Sequence, residues 1–343
     1  MTNFSRSIVS FVSRAALGIS VAALAFPGTG SAQSLASASS TSRLPASAVG
    51  TIIIAHGGGP TWDGNVESLA KSVHTGGPVA VSLLMGPGAA THRFQDAVAK
   101  LVSEGAKEVV VVPVLVSSHS GHIEQIRYLA GETDSLDMEM MHHLTMSGIT
   151  RSAVKVPISV TTALDNAPQL ARVLADHAKA LGKDPAHQAL FLVGHGPNDA
   201  EDNAKWMTNL RQVADSVRAW TGYSDIKIGL VRDDAPAEVR AEAVKEIRET
   251  ILLQNAVTKQ PVVVVPILVS SGEVASTKIP ADLKDLPIVY NAVPLLPHPA
   301  MARWVESQVR RAIEHPVAQT RSQNSSQNSS QSTSHNAAGH VMH

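Results

Sequence analysis

The chain has 343 residues, 44% hydrophobic and 17% charged, with 28 Lys and Arg against 29 Asp and Glu. This near-balance, without a basic stripe, argues against a nucleic-acid partner, and the absence of cysteine excludes disulfides and thiolate metal ligands. Aromatic residues are only 3%, and Ala, Val and Leu dominate instead, a composition suited to helices packed on a buried parallel sheet.

At the N-terminus, Arg6 and Arg14 accompany an apolar run, Ala15–Phe26, and the small residues Gly30-Ser31-Ala32 follow it. Residues 1–32 therefore read as a cleavable export signal. The run is shorter than the roughly 20 residues of a comfortable membrane span, so the expected product is periplasmic or secreted, with no stable span after cleavage. Residues 33–48, rich in Ser and Ala, read as a linker. Residues 317–343, rich in Gln, Asn and Ser, cannot bury a core and read as a disordered tail, whose His335, His340 and His343 offer at most a loose metal site.

Between these ends lies an internal repeat. An apolar run ending in His-Gly occurs at Ile52–Gly57 (IIIAHG) and again at Leu190–Gly196 (LFLVGHG), each followed by an asparagine, Asn65 or Asn203, and a helical pattern. Helical stretches at Phe94–Gly105 and Val239–Gln254 lead into Val109–Ser118 (VVVVPVLVSS) and Val262–Ser271 (VVVVPILVSS), which differ only at Val114 and Ile267. Val156–Val160 and Leu286–Tyr290 form a last matching pair. Continuous apolar runs alternating with helices predict strands buried on both faces of a parallel sheet. The expected fold is α/β, with two similar domains at residues 49–185 and 186–316, each a parallel sheet flanked by helices, facing one cleft at the strand carboxyl ends. The interval from Pro113 to Pro157 is about twice that from Pro266 to Pro287, so the first repeat carries an insertion near 124–154.

The residues able to do chemistry gather at those strand ends. His56 precedes Gly57-Gly58-Gly59, and the turn Ser117-Ser118 leads to His119-Ser120-Gly121-His122. Neutral imidazole binds Co, Ni, Fe and Zn and is also a base near neutral pH. His56 with His122, or with His119 as its rival, is the candidate metal pair. The second repeat keeps His195 but has Gly272-Glu273-Val274-Ala275 in place of the His pair, so the first repeat is expected to carry the metal. The inserted Met138, Met140, Met141, His142, His143 and Met146 read as an apolar helix face rather than a soft metal patch. Glu124 and Glu132 read as solvated charges, and His298 either points into the cleft or braces a Pro-rich turn. The HGGG run also fits the oxyanion loop of lipase-type hydrolases. Ser118-His119-Ser120-Gly121, however, lacks the glycine spacing of a nucleophile elbow. No phosphate-loop pattern is present, so no nucleotide is expected.

These motifs resemble the sirohydrochlorin chelatases of the CbiX/SirB type. The resemblance rests on His56-Gly57-Gly58 with Asn65, His195-Gly196-Pro197 with Asn203, Val109–His122, Ile279-Pro280 and Pro294–Pro299, and so covers both repeats. The sequence departs from the family where a Ser usually follows His-Gly, here Gly58 and Pro197. The resemblance implies nucleotide-independent insertion of a divalent metal, Co²⁺ first and Ni²⁺ or Fe²⁺ next, into a tetrapyrrole. It implies that His56 and His122 hold the metal and help to take the pyrrole protons. Gly57, Gly58, Ser117, Ser118, His195 and His298 are then expected to border the ligand. An exported metal- or tetrapyrrole-binding protein without turnover is the alternative.

Overall fold

The computed structural model describes residues 44–315. The export-signal reading, most of the linker and the tail fall outside these residues.

The first sheet contains β1 (Val49–Ala55), β2 (Val79–Leu83), β3 (Glu108–Pro113) and β4 (Ile158–Val160), all parallel, in the order β2-β1-β3-β4. The second contains β5 (Leu190–Gly194), β6 (Ile226–Leu230), β7 (Val262–Ile267) and β8 (Ile288–Tyr290), also parallel, in the equivalent order β6-β5-β7-β8. The fold is thus α/β with two similar halves. Every residue of β1, β5 and β7 is buried, as is all of β3 beyond Glu108, because helices cover both faces. Runs of Val and Ile suit this environment, since their restricted rotamers pack well on a pleated surface.

In the first half the helices are α1 (Pro60–Ser72), α2 (Phe94–Ser103), α3 (Gly121–Ala130), α4 (Met138–Met146) and α5 (Pro168–Leu181). In the second they are α6 (Ala200–Thr221), α7 (Ala237–Thr258), α8 (Ile279–Asp282) and α9 (Pro299–Glu314). The long interval after Pro113 holds α3 and α4, whereas a π turn, Val274–Lys278, and the short α8 fill the equivalent stretch of the second half. Helix α4 does not present the apolar face expected of it. Leu144 is its only buried residue, and Met138 and Met146 are exposed.

The last helix of each half lies on the other half. α5 follows β4 but packs against β7 and α6, while α9 follows β8 but packs against β3 and α1. Leu170, Val173 and Leu174 of α5 and Met301, Trp304 and Val305 of α9 fill one core with β1, β3 and one face of the second sheet. The other face of the second sheet has its own core around Phe191, Ile247 and Ile251. This exchange holds the two sheets together and fixes the carboxyl ends of β3 and β7 on one cleft. Among the described residues no helix is long and apolar enough to cross a membrane.

Candidate metal centre

His56 is placed by a turn that requires glycine. β1 ends at Ala55, and Gly57 has φ +89°. A Cβ on Gly57 would lie 2.1 Å from the Met85 carbonyl oxygen, in a segment held because the Met85 N–H donates to His56 O at 2.8 Å. The second half repeats this geometry: Gly196 has φ +79°, and the Arg232 N–H donates to His195 O. Replacing Gly57 with Ala is therefore expected to cost on the order of 2–3 kcal/mol, from left-handed backbone strain and the clash. Urea unfolding of Gly57→Ala against the parent would measure it. The loop beyond is tied to α1, because the Gly58 and Gly59 N–H groups donate to Oδ1 of the buried Asp63 at 2.9 and 3.4 Å.

His122 enters from the other central strand. β3 ends at Pro113, the buried turn residue Ser117 follows, and His122 is the second residue of α3. The His56 and His122 rings lie edge to face with centroids 4.8 Å apart. The His56 Nδ1 lies 2.6 Å from Gly57 O, and a carbonyl only accepts, so Nδ1 carries the hydrogen and Nε2 keeps its lone pair. His122 directs Nδ1 to the Gln125 side chain at 2.8 Å. No hydrogen bond among the described residues engages Nε2 of either ring.

Both rings are held neutral. Burial chiefly, then the charge of His195, keeps His56 below its ordinary value of 6.5, against the hydrogen bond to Gly57. Burial, then the neighbouring His56, pushes His122 down to about 4, against the hydrogen bond with Gln125. His195 behaves in the opposite way. Burial opposes its charge, but hydrogen bonds with Asp234 and Gly196 and the field of Asp234 and Asp233 outweigh burial and raise its pKa. Its Nδ1 lies 2.7 Å from Gly196 O and its Nε2 3.2 Å from Asp234 Oδ2, so both nitrogens donate and the ring is an imidazolium. One side of the cleft thus offers two neutral nitrogen donors and the other a cation paired with a carboxylate. Although His195, Asp233 and Asp234 lie close enough to share an ion, Asp233 is already neutralised by Arg240 at 3.1 Å and Lys278 at 2.7 Å.

These groups line a cleft of about 580 Å³ between the two halves. Gly57, Gly58, Trp62, Val114–Ser117 and Met140 wall it from the first half, and Trp206, Ile267–Ser270, Glu273 and Lys278 from the second. The Asn65 amide donates to Ser270 Oγ at 2.9 Å, and Trp206 Nε1 donates to His119 O at 2.6 Å, so each half's first helix grips the other half's strand-end turn.

The structure brings His56, Gly57, Gly58, Ser117, His122 and His195 onto this cleft, but not Ser118, His119 or His298. Ser118 instead binds Asp165 through its N–H and Oγ at 2.7 and 2.6 Å. The backbone of His119 serves the turn, its N–H donating to Ser117 Oγ at 3.2 Å. His298 caps α9, accepting the Ala300 N–H at 3.1 Å, with Asp176 of α5 at 3.4 Å from its Nε2. Glu124 pairs with Arg127, and Glu132 accepts from the Val160 N–H. The sequence reading missed Trp62, Trp206, Asp233 and Lys278 at the cleft and Gln125 buried behind His122. A pairing of Trp62 with Trp206 is hinted at by their places on the first helix of each repeat, but a lone Gln within a helix carries no signal.

Residues 50–181, from β1 to the end of α5, match the CbiX family model. The first half of the chain is thus similar to the CbiX family. No curated protein matches it by sequence. Among solved structures, SirB from Bacillus subtilis with Fe³⁺ is similar at a TM-score of 0.53 and 15% identity, over 77% of this chain and 95% of that one. A multi-domain protein from Deinococcus radiodurans, described as structurally similar to chelatases and carrying two additional domains, is similar at 0.50 and 18% identity. That likeness covers 76% of this chain and 55% of the other. These likenesses extend the chelatase fold beyond the CbiX-matched residues into the second half.

Proposed function

We propose that the protein inserts a divalent metal ion, Co²⁺ foremost and Ni²⁺ or Fe²⁺ as alternatives, into a sirohydrochlorin-like tetrapyrrole without a nucleotide. The observation that carries this reading is the pair of neutral imidazoles, 4.8 Å apart and facing one cleft. Borderline divalent cations favour such nitrogen donors. The cleft volume falls within the roughly 300–1,000 Å³ of small-molecule sites, and its apolar strand-end walls suit a macrocycle face. Insertion exchanges one divalent cation for two pyrrole protons. As the metal passes to the ring, the Nε2 atoms of His56 and His122 are released and free to accept those protons. Burial makes both imidazoles weak bases, so they release those protons readily rather than keeping them.

The export pattern of residues 1–32 supports action outside the cytoplasm, and it also favours a second reading, a metal or tetrapyrrole carrier without turnover. One assay separates the two. Purified mature protein, sirohydrochlorin and Co²⁺ are mixed, and the metallated ring is followed by its absorbance. Catalysis is expected to give product beyond one equivalent of protein, above the uncatalysed rate. Tight binding of the macrocycle that stops at one equivalent or less would favour the carrier and overturn the enzyme.

A further inference from the structure

Helix α4 belongs to the insertion, and the second half has no counterpart. It lies close over the start of α3: a Cβ on Gly121 would come within 2.9 Å of Met140 Sδ. One residue further along α3 is His122. The Met140 carbonyl accepts a hydrogen bond from Gln125 Nε2 at 2.8 Å, and Gln125 Oε1 lies 2.8 Å from His122 Nδ1. Gln125 is fully buried, so water cannot substitute for either partner.

This arrangement has one consistent set of hydrogens. A backbone carbonyl only accepts, so the Gln125 amide nitrogen must face Met140. The amide oxygen then faces His122, and because it too only accepts, His122 Nδ1 must carry the hydrogen. Nε2 is left with its lone pair. Turning the amide over would set two oxygens against each other at Met140. It would also present an N–H to His122, requiring a bare Nδ1 and hence a protonated Nε2 that cannot bind a metal. His56 needs no such help, since the adjacent Gly57 carbonyl fixes its tautomer. His122 has no backbone partner for its ring, so its tautomer depends on one side chain. A neutral amide also orients the ring without adding a buried charge beside it.

We propose that Gln125, itself oriented by the Met140 carbonyl of the inserted helix α4, is a positioning residue that holds His122 in the Nδ1–H tautomer and presents Nε2 to the cleft. The inserted helix thereby builds half of the metal site, and its absence from the second half accompanies the loss of a ligand there. This inference rests on the reading of His56 and His122 as the metal pair.

The test uses the full chain, metal-free and labelled with ¹⁵N-histidine, with the His122 resonances identified by their loss in His122→Ala. The parent protein is expected to show His122 as Nδ1–H. Gln125→Met, of similar size but with no acceptor, is expected to shift it toward Nε2–H and to weaken Co²⁺ binding roughly 10- to 100-fold, the usual cost of removing a group that orients a ligand. Gln125→Glu keeps an acceptor for His122 and, as the neutral acid that burial favours, can still donate to the Met140 carbonyl, so it is expected to retain Nδ1–H and to bind Co²⁺ more tightly than Gln125→Met. An Nε2–H tautomer in the parent would overturn the inference by itself, even if neither variant folds. So would Gln125→Met with unchanged tautomer and unchanged Co²⁺ affinity. If His122→Ala leaves Co²⁺ binding intact, the metal-pair reading fails, and the tautomer spectra still report separately on Gln125.

Discussion

Removing either imidazole of the first half is expected to weaken Co²⁺ binding roughly 100-fold, whereas His195→Ala changes it several-fold at most. Structural zinc sites gain roughly 10–16 kcal/mol from about four ligands, so one ligand is worth on the order of 3 kcal/mol. His56 and His122 qualify because each ring keeps Nε2 free and each is neutral before the metal arrives. His195 does not, because Asp234 occupies its Nε2 and holds the ring charged, and a metal would have to displace both a proton and a salt bridge. The measurement is calorimetric titration of Co²⁺ into His56→Ala, His122→Ala and His195→Ala. The background carries alanine at His335, His340 and His343, so that the tail cannot compete. Loss of binding in His195→Ala alone would move the site to the carboxylate side of the cleft. Equal affinity in all three would remove it from the strand ends altogether. His119→Ala belongs in the same series. Its side chain stands off the cleft and its role is carried by backbone groups, so it should bind Co²⁺ like the parent.

How much of this site could be read from the sequence depends on how local each feature is. The strands were legible because four consecutive valines before a proline can hardly be anything but a strand buried on both faces, and because the run occurs twice. His56 and His195 were legible for a similar reason. His-Gly at the end of an apolar run marks a strand end, and the positive φ of Gly57 and Gly196 shows why glycine is required there. Choosing between His119 and His122 needed coordinates, since a turn of several residues rotates each side chain by an amount that spacing does not specify. The opposite character of His56 and His195 was also hidden. Both follow a strand and precede glycine, and the difference comes from Asp234, which is distant in sequence and lies beyond the neighbouring strand β6. Gln125 was invisible because its importance comes from two partners, His122 and Met140, that become neighbours only when the insertion folds back. The exchange of α5 and α9 between halves was equally beyond reach, since amphipathic pattern says which face of a helix is buried but not against which sheet.

The metal-free protein is expected to be most stable near pH 6.5 and to lose stability in both directions, with different histidines responsible for each limb. On the acid side, His122 is neutral when folded down to about pH 4 but titrates near 6.5 when unfolded. Between those values the unfolded chain binds a proton that the native protein refuses, so stability is complete above 6.5 and falls as the pH drops toward 4. His122 alone is worth on the order of 3 kcal/mol across that window, at about 1.4 kcal/mol per pH unit. His56, His177 and His298 are also held below 6.5, chiefly by burial, and add to the same limb. On the alkaline side the sign reverses. The pKa of His195 is raised, so its pairing with Asp234 contributes fully below 6.5 and is lost as the pH climbs through the folded value. Urea unfolding from pH 4.5 to 8.5 tests both limbs. His122→Gln should flatten the acid limb in part, leaving the share of the other three rings, and should leave the alkaline limb unchanged. His195→Gln should flatten the alkaline limb and leave the acid one. If His122→Gln left the acid limb as steep as in the parent, His122 would be titrating normally in the folded protein. The burial that makes it a proton-free ligand at neutral pH would then be absent.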